Sequence, residues 1–191
     1  KMLSPKFFYD ERGSELFEAI TEQPEYYPTR TELGIMSRSV RQMANVIGAH
    51  ATLVEFGSGV GLKTRKLLDA LIEPAGCVLI DISRGALQAS AGELAERDEN
   101  MEVIAVCADY TQPLRLPRPR RPSARTVAYF PGSTIGNFTH DEAVRFLERV
   151  ALRYPCRKMQ YLKSANSVIL GLTEDSRISN ARASARVALK L

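Results

Sequence analysis

The chain has 191 residues, 45% of them hydrophobic and 25% charged, a composition that supports one globular domain with its own core. No apolar run approaches the roughly 20 residues that a spanning helix needs, and Cys77, Cys107 and Cys156 form no CxxC pair, which argues against a membrane span, a disulfide scaffold and a cysteine metal site. The net charge of +4 is unevenly placed: residues 1–151 hold 18 Lys and Arg against 20 Asp and Glu, while residues 152–191 hold 8 against 2, so the basicity belongs to the tail and implies neither nucleic acid nor a membrane as partner.

The opening Lys1-Met2-Leu3-Ser4-Pro5 is neither a signal peptide nor a natural start, so the chain reads as a soluble, cytoplasmic fragment. Cys77 and Cys107 fall in apolar, strand-like segments and are expected as buried, reduced thiols. Two helices are predicted first. One covers about 13–21, with Leu16, Phe17 and Ile20 at helical spacing, and the other about 31–47, with Leu33, Ile35, Met36, Val40 and Met43 apolar. Between them Pro24 and Pro28 bracket Tyr26 and Tyr27, which predicts a fixed, non-helical loop presenting two phenols.

From residue 52 short apolar strands alternate with helices, the pattern of a parallel sheet with helical crossovers. Strands are expected near 52–56, 77–80, 103–107 and 127–130, and helices near 62–71, 84–97 and 141–152, the last capped by Thr139 with Asp141 and Glu142 in its first turn. Ser167 to Leu172 can form a fifth strand, whereas nothing between Arg153 and Asn166 reads as one. Arg118, Arg120, Arg121 and Arg125 cluster in a proline-broken stretch, read as a solvated loop with a phosphate contact as the alternative.

The sharpest motif is Glu55-Phe56-Gly57-Ser58-Gly59-Val60-Gly61, an apolar strand ending in alternate glycines just before a helix. Glycines there permit a tight turn and let a ligand approach the backbone N–H groups, which makes Gly57 and Gly59 candidate cofactor contacts; the plain alternative is a strand-to-helix turn. Asp81 ends the second strand, 24 residues after Gly57, where doubly wound folds place a carboxylate for ribose hydroxyls; its alternative is a helix N-cap. After the third strand, Asp109 can accept from an adenine amino group and Tyr110 can cover an adenine face. The fourth strand leads into Phe130-Pro131-Gly132-Ser133-Thr134-Ile135-Gly136-Asn137-Phe138, where Asn137 can donate and accept toward an amino acid's amine and carboxylate, or satisfy its own loop.

These groups would suit a dinucleotide as well as S-adenosylmethionine. The loop reads GxGxG rather than GxGxxG, and Glu55 precedes it where a carboxylate can influence a sulfonium, so methyl transfer is favoured over an NAD-dependent oxidoreductase. His50 and His140 lie outside the motifs, and no catalytic triad, nucleophile elbow or metal-ligand spacing is present in the sequence.

Four segments in matching order, Phe7 to Ser14, Pro24-Glu25-Tyr26-Tyr27-Pro28-Thr29-Arg30, the glycine loop running on to Lys63-Thr64-Arg65, and Gly132 to Phe138, resemble the histidine-specific N-alpha-methyltransferases that trimethylate histidine on the way to ergothioneine. The resemblance covers residues 5 to about 151 and implies an α/β fold: a Rossmann-like, doubly wound, mostly parallel sheet behind an N-terminal helical segment. It divides the chain into a substrate-side segment (1–50), an S-adenosyl-L-methionine-binding domain (51–175) and a divergent basic tail (176–191). It further implies that Gly57, Lys63, Asp81, Asp109 and Tyr110 contact the cofactor, that Tyr26 and Asn137 hold the backbone of the amino-acid substrate, and that Tyr9, near the amine, shares the catalytic centre with Asn137. The family also has a second domain over the site. The resemblance thus implies a methyltransferase acting on the α-amine of an amino acid, L-histidine, with a truncated, non-catalytic remnant that binds only cofactor as the alternative; without the second domain, the chain as given is not expected to methylate histidine at a useful rate.

Overall fold

The computed structural model describes residues 5–132, 134–153, 160–164 and 167–172, with side chains for 7–132 and 134–151. Cys156 and the expected tail at 176–191 lie outside the described residues.

A 3₁₀ turn over Pro5–Phe8 leads into helix α1 (Glu11–Glu22). Asp10 caps α1, its Oδ1 accepting from the Gly13 N–H at 2.7 Å and so satisfying a donor that the first helical turn leaves without a partner. Only glycine fits at 13, since a Cβ there would lie 1.8 Å from the Phe8 carbonyl oxygen. Helix α2 (Pro28–Ile47) starts earlier than the expected 31 because Pro28 can occupy the first turn, where no N–H is needed. Arg30 on α2 reaches back to the carbonyl oxygens of Gln23, at 2.8 Å, and Pro24, fixing the loop that carries Tyr26.

Strands β1 (Ala51–Phe56), β2 (Gly76–Asp81), β3 (Glu102–Cys107) and β4 (Arg125–Phe130) form a parallel sheet in the order β3-β2-β1-β4. Successive side chains point to opposite faces. Leu53, Cys77, Leu79, Val127 and Tyr129 pack beneath α2, α3 (Leu62–Leu68) and α4 (Arg84–Arg97), while Val54, Phe56, Val78, Ile80, Ala128 and Phe130 pack against α5 (His140–Arg153). Helices on both faces make the sheet doubly wound, as expected. Met36, Met43, Ala44 and Ile47 bring α2 into the same core as β1 and β4.

Helix α3 stops at Leu68, short of the expected 71, because Ala70 and Leu71 donate to the Leu67 and Leu68 carbonyls, a tightened 3₁₀ ending. Thr139 caps α5 as expected and does so reciprocally: its Oγ1 accepts from the Glu142 N–H at 3.4 Å, while its own N–H and hydroxyl donate to Glu142 Oε2 at 2.8 and 2.9 Å.

Three sequence expectations need correction. Cys77 is wholly buried, but Cys107 is exposed because β3 is the sheet's edge strand. Arg125 belongs to β4 rather than to the arginine loop, and it donates to the Val46 carbonyl at 3.2 Å. Arg118, Arg120 and Arg121 are exposed, as the solvated-loop reading expects; Arg121 donates to the Asn100 carbonyl and the Arg120 backbone N–H donates to Glu102. The expected strand at 167–172 is present as β6 (Ser167–Leu172), antiparallel to β4, but β5 (Gln160–Ser164), antiparallel to β6, lies in the stretch read as strandless. Its five residues contain no continuous apolar run, the weak signature of a sheet-edge strand. Among the described residues no helix is long and apolar enough to cross a membrane.

Candidate functional site

The chain turns from β3 back across β2 and β1 to β4, so the order reverses between β1 and β4, and the crevice beyond the carboxyl ends of these strands is where open parallel sheets bind ligands. Each strand delivers one expected group there.

After β1, Gly57, Gly59 and Gly61 all adopt left-handed φ values of 77°, 48° and 67°, which side chains other than glycine reach only under strain. A Cβ on Gly59 would meet nothing within 4 Å, so its backbone borders open space. One on Gly57 would lie 3.8 Å from the Tyr110 hydroxyl and 3.9 Å from Thr134 Cγ2, which puts the ends of β1, β3 and β4 side by side. Helix α4 secures the loop from below: the Ser90 hydroxyl donates to the Gly59 carbonyl at 2.6 Å.

After β2, Asp81 divides its carboxylate between two backbone groups. Oδ2 accepts from Gly59 N–H at 3.0 Å and Oδ1 from Ser83 N–H at 2.9 Å. The N-cap position of α4 belongs to Ser83. Asp81 therefore shapes the glycine loop, and each oxygen keeps a lone pair for a ligand hydroxyl.

After β3, Asp109 Oδ1 accepts from the Thr111 N–H and hydroxyl at 2.8 and 2.5 Å. The Tyr110 ring is set edge-on into an aromatic wall with Phe56, Phe130 and Phe146, at centroid distances of 6.1, 5.6 and 5.9 Å. Burial, and then the charges of Asp81 and Asp109 and the phenol of Tyr9, hold the Tyr110 hydroxyl protonated far above its ordinary range.

The N-terminal helices close another side. Tyr9, Phe17 and Tyr26 form a chain of edge-to-face contacts, each at 5.9 Å. Burial raises the Tyr26 pKa, with Tyr9 and Glu32 adding to it. Tyr9 thus acts on both Tyr26 and Tyr110. Asn137 ends the 3₁₀ turn Thr134–Asn137 after β4; its side chain is exposed and hydrogen-bonds to none of the described residues.

Glu32 was not singled out by the sequence. It is buried on α2, with Oε2 2.5 Å from Lys63 Nζ and Oε1 accepting from the Gly132 N–H at 2.9 Å. The available signal was a carboxylate on the apolar stripe it shares with Met36 and Met43. Glu55 is fully buried beneath the glycine loop, its Oε2 without a hydrogen-bond partner, and burial raises its pKa to about 8, with Asp81 adding and Thr64 and Lys63 opposing. In the ligand-free cleft burial therefore favours its uncharged form.

Over residues 1–175 the chain matches the family of histidine-specific, S-adenosylmethionine-dependent methyltransferases. The chain belongs to this family. It is 42% identical over 155 residues to a histidine N-alpha-methyltransferase of Mycobacterium tuberculosis, covering 79% of this chain and 47% of that relative. With the enzyme of the same name from Mycolicibacterium smegmatis it shares 37% over 175 residues, 90% of this chain and 50% of the relative. The chain thus spans about half the length of these relatives. A provisionally named S-adenosyl-L-methionine-dependent methyltransferase from Methanococcus maripaludis, 12% identical, superposes with a TM-score of 0.53 over 93% of this chain and 100% of its own, a likeness of fold alone.

Family membership decides for S-adenosyl-L-methionine the choice of cofactor that Glu55 and the loop spacing had left open. The residues present fit it: an open left-handed glycine turn, a carboxylate at its mouth, an aromatic wall beside it and an ammonium at the start of α3.

Proposed function

We propose that the chain is the cofactor-binding part of a methyltransferase acting on the α-amine of an amino acid, L-histidine, to give N-alpha-trimethylhistidine for ergothioneine synthesis. Residues 1–50 serve as the substrate side, 51–175 as the cofactor-binding domain and 176–191 as a basic tail, in a cytoplasmic protein. The observation that carries this reading is the meeting of Gly57, Asp81 and Tyr110 with the Tyr9 and Tyr26 phenols at one sheet edge, in a chain of this family.

Gly57 and Gly59 admit the cofactor to the backbone, Asp81 accepts from its ribose, Asp109 and Tyr110 border its adenine, and Lys63 meets its carboxylate. When bound, S-adenosylmethionine supplies an electrophilic methyl group. The protein's part is alignment and exclusion of water, since in-line displacement on a sulfonium needs only a deprotonated amine correctly placed. Tyr26, a phenol whose pKa part-burial raises further, donates to the substrate carboxylate rather than serving as a base. Asn137 donates and accepts at the same backbone, and Tyr9 faces the amine.

Mass spectrometry of the purified chain incubated with S-adenosylmethionine should show any methyl transfer on the free α-amine of L-histidine, as mono-, di- and trimethylhistidine, and none on N-alpha-acetylhistidine. Methylation of the blocked amine would overturn the substrate assignment. A second reading, a chain that binds cofactor without turnover, is favoured by the match to about half of each relative; cofactor binding with no product would select it.

A further inference from the structure

We propose that Glu32 is a positioning residue of the cofactor site, holding the Lys63 ammonium toward the amino-acid end of the cofactor and tying it to the loop that leads to Asn137. The inference rests on the cofactor reading above and concerns a residue that neither the motifs nor the expected contacts include.

Glu32 joins three separate segments. It stands on α2 one turn beyond the loop that carries Tyr26; one carboxylate oxygen pairs with Lys63 at 2.5 Å, and the other accepts from Gly132 N–H at 2.9 Å. Its side chain is 4% exposed and that of Lys63 18%. A buried ion pair is a poor device for stability, because desolvation of both charges offsets their attraction and a well-packed apolar pair does as well. Its geometry is what an apolar pair would lack. Lys63 sits on a flexible four-carbon stem, and Glu32 fixes the position of the ammonium while using only one of its three donors. A Cβ on Gly132 would lie 3.1 Å from Lys63 Nζ, so the ammonium stands directly under the exposed β4 loop, with Lys63 in the first turn after the glycine loop.

Removing the charge of Glu32 has two opposed consequences. An uncompensated ammonium attracts the cofactor's carboxylate more strongly, but it also leaves its mostly buried place for water, and the ligand must then recover, desolvate and immobilise it. The second effect governs here, because Lys63 reaches its place on a flexible four-carbon stem and its ammonium is held there by the Glu32 carboxylate.

Calorimetric titration of the full chain with S-adenosylhomocysteine and with 5′-methylthioadenosine, which lacks the amino-acid part, tests this. Glu32→Gln should weaken S-adenosylhomocysteine binding about tenfold, a readable shift in Kd, and leave 5′-methylthioadenosine unchanged, which also shows that the variant is folded. Lys63→Met should do the same, and the double variant should be no weaker than Lys63→Met alone. Equal losses for both ligands, additive losses, no change, or tighter S-adenosylhomocysteine binding by Glu32→Gln would each overturn the positioning role. A wild-type chain that binds neither ligand would overturn the cofactor reading itself and the inference with it.

Discussion

Raising the pH from about 5 to about 8 should destabilise the native chain through Glu55 alone. Its carboxyl is fully buried and its pKa rises from 4.5 to about 8, desolvation being the largest cause. Between those values the folded chain keeps a proton that the unfolded chain has released. Stability is therefore greatest below the unfolded value and falls as pH climbs toward the folded one, by about 1 kcal/mol per pH unit, or roughly 3 to 4 kcal/mol over the window. Cys77, whose thiol burial pushes up, ionises beyond this window, and Glu142, lowered by its hydrogen bonds to Thr139, responds only at acid pH. The check is a series of urea midpoints across the window for the native chain and for Glu55→Gln. The two should be similar at the acid end and diverge steadily, the variant becoming the more stable. Parallel curves would show that Glu55 ionises normally.

Asp81→Ala should cost more in cofactor affinity than any other single change at the cleft. It removes the acceptor for Gly59 N–H in the glycine loop and for Ser83 N–H at the start of α4, as well as the proposed acceptor for the ribose. Losing the ribose acceptor costs about 1 to 3 kcal/mol, roughly ten- to a hundredfold in affinity, while the two backbone losses fall on the free protein as well and lower its stability. S-adenosylhomocysteine titration should show that loss, along with a lower melting temperature of the free protein, because the same carboxylate shapes the empty loop. Asp81→Asn keeps one acceptor and should fall between. Unchanged affinity in Asp81→Ala would remove Asp81 from the site.

The sheet was legible because its strands are short apolar runs punctuated by glycine, proline and acidic residues, and all four parallel strands lie within two residues of their expected places. The cleft was legible where local chemistry announces itself. Alternate glycines require the left-handed backbone found at Gly57, Gly59 and Gly61, and Asp81 follows an apolar strand. What escaped was whatever depends on contacts between distant segments. Glu32 pairs with Lys63 and Gly132 across α2, α3 and β4, and no spacing rule links such positions. The full burial of Glu55, which raises its pKa, is likewise invisible in its position along the sequence. Cys107 was expected inside because its strand is apolar, whereas strand order, which puts β3 at the edge, is a property of the assembled sheet.

The central claim is that this chain builds an S-adenosylmethionine site at the carboxyl ends of its parallel strands, and a crystal structure with S-adenosylhomocysteine tests it most directly. The account predicts the ribose hydroxyls within hydrogen-bond reach of Asp81, the adenine between Asp109 and Tyr110, the sulfur over Gly57 and Gly59, and the carboxylate at Lys63. Ligand bound elsewhere, or a cleft in which Gly57, Asp81 and Asp109 do not face the same molecule, would contradict it.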